Sequence, residues 1–356
     1  MKVYNFAAGP SMLAEEVKLT AQRDFLNYNG SGMSVTEMSH RSAVYENIHN
    51  EAQSLLRELM HIGDNYHVLF LQGGASMQFE AVPLNLLHTK ADYVVTGNFA
   101  AKAASEAQKY GDVAVIASSK DKNHTYIPDV DKLVTREGAD YLHITGNNTI
   151  FGTRYTKLPK VAAPLVADMS SMILSEEIDV NQFALIYAGA QKNIAPAGLT
   201  LVIVKKDIIN RPQSICPTML RYSTQAEANS LYNTPPCFAI YMAMLTFRWL
   251  KNMGGVPAIQ KINEYKAGLL YDFIDNSSFY KNPVQKEYRS LMNVPFTTPS
   301  PELDKKFTAE AEKSGLVAIG GHRSVGGMRA SIYNAMPVEG VKTLIDFMKK
   351  FELANR

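Results

Sequence analysis

Two periods of apolar residues alternate along this chain. Short apolar runs at residues 66–71, 92–96, 113–117, 141–145, 165–168, 183–187 and 199–204 have the length and Val/Ile/Leu content of buried strands. Helical spacing recurs over residues 17–25, 45–60, 77–87, 129–137, 237–253, 258–274, 302–314 and 338–352, and in a segment running from Phe99 to about residue 110. Further strands are predicted near residues 292–297, at 317–319 and around Arg329. The repeated strand–helix–strand order predicts an α/β fold with a mostly parallel central sheet. Gly254, Gly255 and Pro257 read as a linker. The expected division is a large domain of residues 16–255 and a smaller α+β domain built from 1–15 with 256–356.

Right-handed crossovers bring the turns after parallel strands to one edge of the sheet. That edge would gather Gly74, Ala75, Ser76, Phe99, Thr149, Asp168 and Lys192. Lys192 lies in an Ala/Gly/Pro loop between two apolar runs. The ordinary fate of such a lysine is to snorkel toward water. Held in a poorly hydrated pocket, its amine would have a lowered pKa and condense readily with an aldehyde. Asp168 ends another apolar run, and alone would read as a helix cap. As a pair, the two groups suit pyridoxal phosphate: an amine for the aldehyde, and an anion that keeps the pyridine nitrogen protonated.

The turn Gln72–Ser76 places two glycines between a strand and a helix, an arrangement that offers backbone N–H groups to a phosphate. It is neither a Walker A nor a GxGxxG motif, and many such turns bind nothing. By strand alternation Arg329 shares a face with Ser331 and Tyr333. Its guanidinium could fork onto a carboxylate or end in a surface ion pair. The dipeptides His40-Arg41 and His322-Arg323, each followed by Ser, would suit a second anionic group.

Composition narrows the classes. The 356 residues are 46% hydrophobic and 20% charged, ample for two domains. A net charge of +2 argues against nucleic acid or a membrane surface as the main partner. The N-terminus lacks the apolar stretch of a signal peptide, and no run reaches membrane-spanning length, so a cytoplasmic location is expected. Cys216 and Cys237 form no metal or disulfide pattern.

Longer motifs are FAAGPSML at 6–13, GMSVTEMSHRS at 32–42, LQGGASMQF at 71–79, VADMSSMILS at 166–175, GAQKN at 189–193, NTPP at 233–236 and HRSVGGMRASIYNAMP at 322–337. On these the chain resembles the phosphoserine aminotransferases, class V aminotransferases of the pyridoxal-phosphate fold type I, over nearly its whole length. The resemblance implies a seven-stranded large-domain sheet. It implies that Lys192 holds pyridoxal 5'-phosphate as a Schiff base and shuttles a proton between Cα and C4′, while Asp168 pairs with the pyridine nitrogen. Ala75, Ser76 and Gln191 would bind the cofactor phosphate, and Phe99 and Thr149 would contact the cofactor. Asn233 and Thr234 would reach that phosphate from the other subunit of a homodimer. Arg329 would hold the α-carboxylate; His40, Arg41, His322 and Arg323 would hold the substrate phosphate or the glutamate side-chain carboxylate. Some family members carry Trp where this chain has Phe99 and Arg where it has Ser76. An aromatic face survives the first change. The second moves phosphate binding toward backbone N–H groups and hydroxyls.

The implied reaction is reversible amino transfer between L-glutamate and 3-phosphohydroxypyruvate, giving O-phospho-L-serine and 2-oxoglutarate. A second implied substrate is 3-hydroxy-2-oxo-4-phosphonooxybutanoate, on the route to pyridoxal phosphate. The rivals are an alanine–glyoxylate aminotransferase, a cysteine desulfurase, or a non-catalytic binder of phosphorylated ligands. A desulfurase needs a nucleophilic cysteine on a mobile loop; Cys216 precedes a proline and Cys237 opens a predicted helix.

Overall fold

The computed structural model of the chain describes residues 2–356. Seven strands form one sheet: β1 (Tyr66–Leu71), β2 (Lys90–Val95), β3 (Asp112–Ser118), β4 (Tyr141–Thr145), β5 (Leu165–Asp168), β6 (Leu185–Gly189) and β7 (Thr200–Lys205). Their spatial order is β3-β2-β4-β5-β6-β7-β1. Neighbours from β3 through β6 pair parallel. Only β7 runs against both its neighbours, β6 and β1.

The near-continuous apolar content of the strands follows from cover on both faces. On one face Leu142, Ile144, Ala167, Ile186 and Ile203 pack with Ile48 and Leu56 of α2 (Ala43–Met60) and Ile240 and Phe247 of α5 (Cys237–Asn252). On the other, Tyr93, Tyr141, Val166, Leu185 and Tyr187 meet Phe79 and Val82 of α3 (Gly74–Leu86) and Ala100, Ala103 and Ala104 of α4 (Asn98–Ala107). Residues 141 and 142 belong to opposite faces, as a period of two requires. This region also holds α1 (Glu15–Asp24) and a short helix at Tyr222–Glu227.

A second core lies around α6 (Gly255–Asn276), α7 (Pro301–Lys313), α8 (Val338–Asn355) and the antiparallel pair β8 (Asn293–Phe296) and β9 (Met328–Ser331). Tyr4–Asn5 joins it by pairing parallel with Leu316–Val317. Phe307 is its hub, with the rings of Phe347 and Phe351 each 5.0 Å away, edge to face.

Three local expectations change. Residues 254–257 open a 22-residue helix instead of forming a linker. Gly254 supplies the left-handed cap at φ 98°, and Pro257 lies in the first turn, where a missing N–H costs nothing. Val256 and Ile259 join the first core while Ala267 and Leu270 join the second, so α6 ties the two together. Residues 129–137 form only a single 3-10 turn, Val130–Lys132. The backbone N–H and Nε of Arg136 donate to the fully buried carboxylate of Asp92 at 2.7 and 2.6 Å, and that demand outweighs the helical pattern. The strand near residue 317 stops after Val317 because Ala318 turns to φ 57°. Among the described residues no helix is long and apolar enough to cross a membrane.

Candidate active site

Five turns converge at the carboxyl edge of the parallel strands. After β1, Gly73 adopts φ 86°, and a Cβ there would meet Met77 Sδ at 2.5 Å; glycine is what lets α3 start so abruptly. No side chain caps α3, and the N–H groups of Gly74, Ala75 and Ser76 have no acceptor among the described residues. Such a bare first turn is a cradle for an anion. After β2, Phe99 lies in the first turn of α4. Thr149 follows β4, Asp168 ends β5, and Gln191 and Lys192 follow β6. From the second core, β9 brings Arg329, and the segment before it brings His322. Ala75, Ser76, Phe99, Thr149, Asp168, Gln191, Lys192, His322 and Arg329 line one cavity of about 270 Å³.

Lys192 Nζ donates to Thr149 Oγ1 at 2.8 Å and lies 5.9 Å from the centre of the Phe99 ring. Burial pushes its amine down to about 8; Asp168 opposes the shift and Arg329 reinforces it. Burial raises the Asp168 carboxyl above its ordinary range, while Lys192 and Ser170 oppose that rise. Ser170 donates twice to Asp168 Oδ1, from its backbone N–H at 2.9 Å and from Oγ at 2.6 Å. The same Oγ accepts from Gly189 N–H at 3.0 Å. Oδ2 receives no protein donor among the described residues. Arg329 Nη1 reaches the Thr149 carbonyl at 3.4 Å, so Thr149 touches both cationic residues. The N-terminal segment closes one wall: Gly9 sits at φ 131°, and a Cβ there would press on Gln191 Cγ and Lys192 Cγ, each at 3.3 Å.

The remaining predicted site residues lie outside this cavity. Arg323 is exposed beside His322. His40 and Arg41 precede α2, half-buried and exposed respectively, and neither lines the cavity. Asn233 and Thr234 lie near the outer side of α3, where Gln72 Nε2 donates to the Thr234 carbonyl at 3.2 Å. Sequence reasoning missed Ser170 and Gly9. A usable signal for Ser170 was present: a serine two residues after an Asp readily closes a local turn onto the carboxylate.

A model of the aminotransferase class-V family matches residues 3–344. The phosphoserine aminotransferase of Bacillus cereus is 58% identical over 358 residues, covering 100% of this chain and 99% of that protein. The chain belongs to the phosphoserine aminotransferase family. Among solved structures, the phosphoserine aminotransferase from Bacillus circulans subsp. alkalophilus superposes with a TM-score of 0.98 at 47% identity, covering 100% of this chain and 99% of that one. The pyridoxal-phosphate-bound phosphoserine aminotransferase from Trichomonas vaginalis has a TM-score of 0.94 at 38% identity, with 98% and 100% covered.

Pyridoxal phosphate is the cofactor of this aminotransferase. The donor set of the cavity fits it. A buried amine of lowered pKa faces the same space as a carboxylate with one free oxygen, an aromatic ring and an uncapped helix N-terminus.

Proposed function

We propose that this enzyme transfers the amino group of L-glutamate reversibly to 3-phosphohydroxypyruvate, yielding O-phospho-L-serine and 2-oxoglutarate in two alternating half-reactions. The observation that carries the reading is the convergence of Lys192, Asp168 and Arg329 on one cavity. The same chemistry would convert 3-hydroxy-2-oxo-4-phosphonooxybutanoate to 4-phosphohydroxy-L-threonine.

Bound pyridoxal phosphate supplies an aldehyde for the amine and a ring that draws electrons from the bond being broken. Lys192 would hold the aldehyde carbon, and Asp168 Oδ2 the protonated ring nitrogen. Phe99 would stack on the ring, with Thr149 beside it. The free N–H groups at Ala75 and Ser76, with Gln191, would bind the phosphate. The Arg329 guanidinium grips the substrate α-carboxylate in a fork. Once free, the Lys192 amine, whose pKa of about 8 leaves a neutral fraction near pH 7, takes the proton from substrate Cα. His322 and Arg323 bind the distal phosphate or the glutamate side-chain carboxylate.

The reading includes a homodimer. Phe25, Leu26, Met33, Val44, Met77, Met219 and Tyr232 are exposed apolar residues, and Leu26 is 80% exposed. Met77 and Met219 share a small depression with Asn233, beside the cradle at the start of α3. Burying that surface against a second copy would let the partner subunit's Asn233 and Thr234 reach the cofactor phosphate. The partner subunit's His40 and Arg41 would join His322 in the substrate pocket. The proposal also assigns residues 16–255 to the cofactor domain and 1–15 with 256–356 to the second domain, and places the enzyme in the cytoplasm.

Purified enzyme given pyridoxal phosphate should show a Schiff-base absorbance band that Lys192→Ala abolishes. Single-turnover rates should be far higher with phosphoserine than with serine. A colourless wild type would favour a non-catalytic binder, and equal rates would refute the phosphate pocket.

A further inference from the structure

We propose that Lys102 is a specificity residue for the phosphorylated substrate: its ammonium joins His322 and Arg323 in binding the dianionic end. This rests on the phosphorylated-substrate reading above. Lys102 lies three residues after Phe99 on α4, so the two share a helix face. Its Nζ is 5.8 Å from the centre of the Phe99 ring, and Lys192 Nζ is 5.9 Å from the same ring. One ring thereby lies near two amines, the half-buried Lys192 of the cavity and the exposed Lys102 outside its lining.

The segment carrying His322 meets the start of the same helix. Asn98, the first residue of α4, donates from Nδ2 to Ser324 Oγ at 3.4 Å. Ser324 in turn donates its backbone N–H to His322 Nδ1 at 3.2 Å. With Nδ1 accepting, the neutral imidazole carries its proton on Nε2, a donor with no protein partner among the described residues. The turn is tight: a Cβ on Gly321 would meet the Gly326 carbonyl oxygen at 2.0 Å. Burial lowers the His322 pKa, and the charges of Arg329, Arg323 and Lys102 lower it further, so all three cations act on the one imidazole.

None of the four forms an ion pair among the described residues. The carboxylate best spaced to neutralise Lys102, that of Glu106 one turn on, is held by Lys109 at 2.7 Å instead. A cationic mouth without counter-charge draws anions and holds the one that completes it. A phosphate brings roughly 1.5 to 2 negative charges where a carboxylate brings one, so Lys102 should matter more for phosphoserine than for glutamate.

The test compares Lys102→Met, which keeps the stem and removes the charge, with Lys102→Arg, in the pyridoxal-phosphate-loaded enzyme. Single-turnover half-reactions with phosphoserine and with glutamate are followed by cofactor absorbance. Lys102→Met should lower kcat/KM for phosphoserine about 10-fold or more, mainly through KM, the loss expected for a hydrogen bond to a charged group. Glutamate should lose less than about 3-fold, and Lys102→Arg should restore most of the loss. Equal losses on both substrates, or none, would overturn the assignment while leaving the phosphorylated-substrate reading intact. A wild type that prefers serine to phosphoserine would remove that reading, and Lys102 with it.

Discussion

Ser170→Ala probes how Asp168 is kept anionic inside the protein. The hydroxyl donates to Asp168 Oδ1 at 2.6 Å and accepts from Gly189 N–H at 3.0 Å, both buried. Losing a hydrogen bond to a charged group costs about 1.5–3 kcal/mol, and orphaning a buried N–H about 1–3 kcal/mol. The two losses share one atom and are not additive, so the expected destabilisation is about 2–4 kcal/mol. Burial already raises the Asp168 pKa, and Ser170 is one of the groups opposing that rise. Without it, protonation of Asp168 begins at a higher pH. Cofactor binding that needs the anion should then weaken about 10- to 100-fold, equivalent to about 1.4–2.7 kcal/mol. Its acid limb should move toward neutral pH. Absorbance titration of cofactor-free protein across a pH series measures the affinity and its limb, and urea unfolding measures the stability. A variant matching wild type in all three would refute the claim that Ser170 sustains the carboxylate.

Other consequences are equally measurable. In cofactor-free enzyme the Lys192 amine, with its pKa lowered to about 8, is largely neutral above that pH, so imine formation with an added aldehyde should rise through pH 8 and then level. Arg329→Leu should move that rise to higher pH, and Asp168→Asn to lower pH, because their charges act on the amine in opposite directions. Arg136→Met leaves the buried Asp92 carboxylate without its cation and should cost about 3–5 kcal/mol in urea unfolding. Lys266 is fully buried and donates to the carbonyls of Ile332, Tyr333 and Met336 at 3.1, 2.9 and 3.0 Å, holding the turn after the Arg329 strand. Lys266→Met should lower the thermal midpoint and raise KM for both amino-acid substrates, with the cofactor absorbance band unchanged.

Much of the site was legible because its residues sit at strand ends. An apolar run followed by a polar turn marks the carboxyl edge of a buried strand, and Phe99, Thr149, Asp168 and Lys192 all occupy that position. Residues 129–137 misled because helical spacing is a local signal, whereas the demand of buried Asp92 comes from a strand some forty residues away. The glycines and proline at 254–257 misled in the opposite way. Each is also compatible with a helix start, and apolar surface from two cores was there to bury the helix that follows. Ser170 and Lys102 stayed hidden because their roles depend on neighbours from other turns: Gly189 for one, His322 for the other.

The order of residues by itself determined the strand–turn–helix alternation and which chemical groups stand at the turns. These follow from period and from the conformational habits of neighbours. Tertiary structure decided which groups share a space and how acidic they are there. It set β7 against its neighbours, brought Arg329 from the second core beside Thr149, and stripped water from Lys192 until its amine fell to about 8. Desolvation and charge proximity belong to three-dimensional packing, so no local pattern could carry them.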